Sequence, residues 1–156
     1  MDIKVIGIDL AKTNFQICAM SKDGKILFNK QIKRPKLVET IVNFPDGTLI
    51  AMEACARSHH WGRKFIALGY QVKLIPAQQV KAFCSHQKND ANDAVAICEA
   101  AFRPRIREVC VKTLEQQDIK MIRTIRQRHV ESRTAIANQI SGLAGEYGVV
   151  FDKQIA

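Results

Sequence analysis

The order of strand and helix patterns along the chain is the feature that most restricts its fold. Three strand patterns come first, at residues 3–11, 14–21 and 26–33, and the turn residues Asp23-Gly24 join the last two. Helices at 35–44 and 59–68 then alternate with strands at 48–53 and 71–76. A meander followed by βαβ units predicts an α/β fold with a mixed five-stranded sheet flanked by helices.

The second half of the chain is predicted to be helical. Short helices are expected near residues 78–83 and 91–102, and Pro104 ends the second of them. One long helical pattern without proline follows at 114–143. Such a helix either packs across its own domain or dimerises as a coiled coil, so a homo-oligomer through this helix is one expectation. We divide the chain into an α/β domain at 1–112, the long helix at 113–148 and a tail at 149–156.

The charge of the chain predicts an anionic partner. The 24 Lys and Arg outnumber the 15 Asp and Glu, which gives a formal net charge of +9, and no acid lies between Glu53 and Asp90. This distribution favours binding to nucleic-acid phosphates, although a solvated cationic face is equally compatible with it. The basic residues selected as candidates for nucleic-acid binding are Arg57, Arg63, Lys64, Lys81, Lys88, Arg123 and Arg126.

The composition excludes several classes of protein. With 47% hydrophobic and 25% charged residues, the chain is neither disordered nor fibrous. No apolar run approaches the roughly 20 residues of a membrane span, and no signal-peptide pattern is present. Five widely spaced cysteines without a CxxC pair predict neither a disulfide framework nor a zinc site. We therefore expect a protein of the reducing cytoplasm with no membrane partner.

Two carboxylates are expected at the ends of apolar strands. Asp9 ends the first strand, where an ionised side chain is costly to bury unless a partner or a metal compensates it. Glu53 follows the apolar residues of the fourth strand and lies at its carboxyl end, where open α/β sheets bind their ligands. Both positions indicate a functional site.

Asp90 and Asp93 add two carboxylates at the start of a predicted helix. Their spacing of three places both on one face of the first turn. Either residue alone is more often a helix cap than a ligand, but capping does not account for Asp9 and Glu53. Four carboxylates together predict a site for hard divalent cations such as Mg²⁺, which activate a water and stabilise the leaving oxygen at a phosphodiester.

The segments that contain these acids resemble the motifs of the DEDD-type insertion-sequence transposases. The matching segments are GIDLAK at 7–12, AMEACARSHHW at 51–61 and KNDANDAVAICEA at 88–100. Residues 133–149, RTAIANQISGLAGEYGV, are similar to the family's stretch between its two conserved domains, so the resemblance covers nearly the whole chain. The family is related to Piv invertases, and many of its members are recombinases directed by a bridge RNA.

The resemblance implies an RNase H-like fold similar to that of RuvC resolvases, with a catalytic and metal-binding tetrad. The four implied residues are Asp9, Glu53, Asp90 and Asp93. It also implies Mg²⁺ as cofactor, with Mn²⁺ as a substitute, and cleavage and transfer of DNA strands in transposition. DNA and a structured guide RNA are the implied partners.

The resemblance implies the amino-terminal catalytic domain alone. Family members continue into a second domain that bears a serine proposed as a nucleophile, and the tail at 149–156 would lead to it. Ser132 and Ser141 lie in the long helix and do not inherit that role. Ala56 departs from the glycine of many relatives, at a turn and not in the tetrad.

Two other functions use the same residues. A non-catalytic nucleic-acid-binding or dimerisation module would use the acids only as caps and would have no Asp9-dependent Mg²⁺ site. GIDLAKTN at 7–14 also resembles the first phosphate loop of the actin-like ATPases. Ala11 replaces the second glycine expected there, and 156 residues cannot build the two lobes of that fold, so we rank it lowest.

Overall fold

A computed structural model describes residues 3–84 and 89–151 of the chain. These residues form two compact units that divide between Val111 and Lys112. The elements described in the first unit are β1 (Ile3–Asp9), β2 (Asn14–Ser21), β3 (Ile26–Lys33), α1 (Leu37–Ile41), β4 (Leu49–Glu53), α2 (Ser58–Ala67), β5 (Gln71–Ile75), α3 (Ala77–Lys81) and α4 (Asp90–Ala101).

The five strands form one mixed sheet in the order β3-β2-β1-β4-β5. β2 pairs antiparallel with both β1 and β3, whereas β4 pairs parallel with β1 and β5. Parallel neighbours need crossovers, and the crossovers into β4 and β5 contain α1 and α2. The predicted α/β fold, with a mixed five-stranded sheet flanked by helices, is confirmed.

Two hydrophobic clusters cover the two faces of the sheet, because successive side chains of a strand point to opposite faces. Ile6 and Ile8 of β1 belong to the cluster that contains Trp61 and Phe65 of α2. Val5, which precedes Ile6 and points to the other face, belongs to the cluster that contains the buried residues of α4. The α4 face therefore carries the odd-numbered residues of β1, which is the alternation that includes Asp9.

Gly7 permits an unusually close approach of α4 to β1. A Cβ atom at this position would lie 2.6 Å from the carbonyl oxygen of Ala94 and 2.6 Å from Sγ of Cys98. Only glycine fits between the strand and the helix without moving one of them. The close contact brings the first half of α4 against the end of β1.

The predicted helix at 35–44 is shorter in the structure. A 3₁₀ turn at Arg34–Lys36 contains the proline, and α1 then extends only over Leu37–Ile41. Pro45 disfavours helical geometry at the residue before it, and the side chain of Asn43 donates to the carbonyl of Glu39 at 2.6 Å. The sequence patterns also missed the antiparallel bridge between Val109 and Leu74, which adds a residue pair beside β5.

The second unit contains the long helix, α5 (Leu114–Gly145). Thr113 caps it, since its side chain accepts from the backbone N–H of Gln116 while the Gln116 side chain accepts from the backbone of Thr113. The predicted long helix is confirmed and extends two residues further than expected. Over the part of the chain that is described, no helix combines the length and apolar composition needed to cross a membrane.

Candidate functional site

Asp9 and Glu53 end two neighbouring parallel strands. The β1–β4 register pairs Gly7 with Ala51 and Ile8 with Met52, so one further step brings Asp9 level with Glu53. Leu49 and Ala51 of β4 face α4, and alternation gives Glu53 that same face. The two carboxylates therefore share the α4 face at the carboxyl edge of the sheet, and both are partly exposed.

The first turn of α4 supplies the other two carboxylates. Asn89 is the residue that caps this helix, because its side chain accepts a 2.8 Å hydrogen bond from the backbone N–H of Asn92. Asp90 is therefore a residue of the first turn and not the N-cap, so helix capping does not explain why an aspartate stands at this position. Asp93 lies one turn further, and its Oδ1 accepts a 3.5 Å contact from Sγ of Cys84.

The charges of the other three predicted carboxylates act on Asp9. Burial and then the charges of Asp93, Asp90 and Glu53 raise the pKa of Asp9 from 3.8 to about 6. A hydrogen bond from the backbone of Leu10 lowers the pKa and offsets part of this rise. Each of the other three predicted acids thus acts on Asp9. The structure thus places Asp9 within electrostatic range of the other three acids, and the catalytic and metal-binding roles of all four stay predictions.

The donor set fits a hard divalent cation. Carboxylate oxygens are the ligands that Mg²⁺ and Mn²⁺ prefer, and mutual repulsion among four of them is relieved by a bound cation. No group of three His, Cys, Asp or Glu side chains within 3–84 and 89–151 is arranged as a ready metal site. Mg²⁺ usually takes one or two carboxylates together with waters and substrate phosphates, so an open arrangement is compatible with it.

Two cysteines border the acidic site, and the sequence patterns gave no reason to place them there. Burial, followed by the charges of Glu53 and Asp9, raises the pKa of the Cys55 thiol. Because the thiolate is the metal ligand, a thiol kept protonated here is a poor one. Cys84 contacts Asp93 from the segment that follows α3. The chemistry of the site therefore rests on oxygen donors.

A cluster of basic side chains surrounds Trp61 on the opposite, α2 face of the sheet. The guanidinium of Arg34 and the ammonium of Lys64 each lie 5.5 Å from the centroid of the Trp61 ring, which is only 4% exposed. Burial and then the charges of Lys64, Arg34 and Arg63 lower the pKa of His60. We call Arg34, His60, Arg63 and Lys64 the basic cluster.

The basic cluster contains two residues that the sequence interpretation did not select, Arg34 and His60. Arg34 follows β3, whose end pairs with the start of β2, so the fold brings it to α2 from 27 positions away. A run of basic residues without an acid between Gly24 and Val38 is the only signal that pointed to it. Cation–π contact draws both Arg34 and Lys64 towards the same buried ring.

The other predicted nucleic-acid-binding residues are dispersed. Arg57 is exposed in the turn before α2 and has the positive φ of 79° that is uncommon for a residue with a side chain. Lys81 is exposed on α3, which packs on the α4 face of the sheet. Arg123 and Arg126 are exposed on α5 in the second unit, and Lys88 lies outside the described residues.

Comparison with known proteins identifies relatives over nearly the whole chain. Residues 6–148 match the sequence profile of the IS110-type DEDD family, described as transposases. The transposase of insertion sequence element IS1111A from Coxiella burnetii is 45% identical over 148 residues, which cover 95% of this chain and 40% of the relative. A probable family 20 transposase from Pseudomonas aeruginosa is 41% identical over 150 residues, which cover 96% of this chain and 44% of the relative. The chain thus spans about two fifths of the length of these curated relatives.

Solved structures give a more distant likeness. RuvC of T. thermophilus in complex with a Holliday junction substrate aligns with a TM-score of 0.48 and 14% sequence identity, over 67% of this chain and 98% of that one. A second Thermus thermophilus RuvC structure aligns with the same TM-score and 16% identity.

Proposed function

This chain belongs to the IS110-type DEDD transposase family, and we propose that it is the metal-dependent catalytic domain of such a transposase. Its reaction is the cleavage and transfer of DNA strands in insertion-sequence transposition. The observation that carries the proposal is that Asp9 and Glu53 end neighbouring strands on the sheet face against which α4 packs, and that the first turn of α4 bears Asp90 and Asp93. Residues 1–112 form the RNase H-like catalytic domain, and residues 113–148 form a separate helical element.

The four carboxylates hold Mg²⁺, or Mn²⁺ in its place, at the scissile phosphate. When bound, such a cation supplies a nucleophilic water and stabilises the charge on the leaving oxygen. Asp9 and Glu53 come from rigid sheet positions, whereas Asp90 and Asp93 come from the first turn of α4. The partial burial of Asp9 limits the access of bulk water, which strengthens its attraction for a cation.

DNA is bound through its phosphates, with a structured guide RNA as a second nucleic-acid partner. The basic cluster supports this part of the proposal, because burial and then the charges of Lys64, Arg34 and Arg63 lower the pKa of His60, which places three cations around one side chain. Contacts of this kind neutralise phosphates without reading the sequence, and they weaken with salt. The remaining predicted contacts are Arg57, Lys81, Lys88, Arg123 and Arg126.

A homo-oligomer formed through α5 is a compatible second role. The helix has no buried residue, and its large apolar side chains are strongly exposed, with Ile122 at 64% and Leu143 at 61%. Sedimentation of the chain, compared with that of an Ile122→Glu variant, tests this role, since a dimer that depends on α5 dissociates in the variant.

A reducing cytoplasm is the proposed location. All five cysteines lie among the described residues, and none of them forms a disulfide.

Cleavage of a labelled DNA substrate tests the catalytic proposal. In the full-length transposase, Asp9→Asn and Glu53→Gln are each expected to lower Mg²⁺-dependent cleavage by more than about a hundredfold, while Asp23→Asn, in the hairpin at the other edge of the sheet, retains activity. DNA binding should persist in all three variants. Wild-type cleavage rates in the Asp9 and Glu53 variants would reject the catalytic role of the site.

A further inference from the structure

Gln16 lies beside Asp9 but belongs to no predicted motif. The β1–β2 register pairs Asp9 directly with Gln16, and alternation places both on the face that α4 covers. Gln16 is only 9% exposed, although it carries a polar amide. A buried amide of this kind is costly unless its hydrogen bonds are made, so its partners matter.

Two hydrogen bonds connect Gln16 to the first turn of α4. Nε2 of Gln16 donates to Oδ1 of Asn29 on β3 at 2.6 Å. Nδ2 of Asn29 in turn donates to the backbone carbonyl of Ala91 at 2.9 Å. We call these two hydrogen bonds the relay. Because Ala91 lies between Asp90 and Asp93, the relay connects Gln16, the neighbour of Asp9, to the turn that bears the other two aspartates.

The relay and the Gly7 contact hold α4 at two points. The Gly7 contact sets how closely the helix approaches β1 at Ala94. The bond from Asn29 holds the helix at Ala91, three residues earlier and almost one turn away. Two separate points of attachment fix both the distance of a helix and its rotation about its axis, and rotation decides whether first-turn side chains face Asp9.

We propose that Gln16 and Asn29 are positioning residues, which hold the first turn of α4 so that Asp90 and Asp93 face Asp9. The inference rests on the proposed function, since it assigns the relay a role at the divalent-cation site. Hydrogen-bonded partners outside the ligands are a common way to orient a metal site, and their loss typically costs 10–100-fold in metal affinity.

The affinity of the chain for Mn²⁺, measured by electron paramagnetic resonance, is the first test. Asn29→Leu keeps the side-chain size but removes both bonds, and we expect it to weaken Mn²⁺ binding about tenfold. Gln31→Leu is the matched control, because Gln31 is exposed two residues further along the same face of β3. Gln16→Met, which leaves the Asn29–Ala91 bond in place, should give a smaller loss. Equal affinities for wild type and Asn29→Leu would overturn the inference.

Amide hydrogen exchange gives a readout that needs no metal. The N–H of Val95 bonds to the carbonyl of Ala91 within α4, so loss of the relay should raise its exchange rate about fivefold, while exchange at Ala101 stays unchanged. Asn29→Ser is measured beside Asn29→Leu, in case the larger substitution unfolds the edge strand. If wild type binds no Mn²⁺ yet exchange at Val95 rises, the cation proposal fails and the relay stands as a purely structural device. Unchanged exchange at Val95 in both variants would reject the relay itself.

Discussion

Removal of one charge from the acidic site should stabilise the metal-free chain. Asp9 is partly buried among three other carboxylates, which raise its pKa from 3.8 to about 6 together with burial. A carboxyl whose pKa is higher in the folded state favours folding below its unfolded pKa, and this contribution is lost as the pH rises through the folded value. Above pH 6 the ionised Asp9 therefore destabilises the fold, and Asp9→Asn removes that cost.

The size of the effect follows from the pKa. A rise of about 2 units corresponds to about 3 kcal/mol of repulsion and desolvation. Asp9 is partly exposed to solvent, which screens its neighbours, so we expect the effect on the free energy of unfolding to be about 1–2 kcal/mol. At pH 3.5, where the wild-type carboxyl is largely protonated in both states, the two proteins should be nearly equally stable.

Urea unfolding followed by circular dichroism in the presence of a chelator measures this difference. Asp9→Asn is expected to be more stable than wild type at pH 7.5, and Asp23→Asn, at the other edge of the sheet, serves as the charge-matched control. Added Mg²⁺ should then stabilise wild type but not Asp9→Asn, because linkage stabilises only a state that binds the cation. An Asp9→Asn variant that is less stable than wild type at pH 7.5 in chelator would show that the four carboxylates do not crowd one another.

Three further predictions concern the surface and the core. Arg34→Gln should weaken DNA binding and reduce the slope of log affinity against log salt by about 1, measured by fluorescence anisotropy; Lys25→Gln is the control, and equal slopes would contradict the basic cluster. Gly7→Ala should lower the free energy of unfolding by about 2–3 kcal/mol, since its Cβ would lie 2.6 Å from a carbonyl oxygen, whereas Gly142→Ala, which meets nothing within 4 Å, should not destabilise α5. Tyr70→Phe should cost about 1–2 kcal/mol in the same assay, because the buried hydroxyl donates to the carbonyl of Ile41 at 2.8 Å; an unchanged midpoint would show that this bond is not stabilising.

Local patterns predicted the sheet well because burial imposes them directly. β2 and β3 have the predicted bounds, and β4 and β5 differ from the prediction by one residue each, since apolar runs and turn residues define where a strand can begin and end. Burial also explains why Asp9 and Glu53 could be predicted as site residues. An ionised side chain at the end of an apolar strand is costly to bury, so its presence there indicates a function. The joint role of the four stays a prediction.

Long-range polar contacts were beyond the reach of those patterns. The bond between Asn29 and Ala91 joins residues 62 positions apart, and neither residue is unusual in its own segment. Arg34 gave no local sign that it would lie over Trp61, because their proximity depends on how β2 and β3 pair. Contacts of this kind arise only once strand order and register are known.

The missing side chain at Gly7 has a consequence for how such a domain can change over evolution. The carbonyl oxygen of Ala94 and Sγ of Cys98 occupy the space that a Cβ of residue 7 would need, so the two elements approach closely there. Any side chain at residue 7 would push α4 away from β1 and widen the gap that separates Asp9 from Asp93, so this position is constrained to glycine.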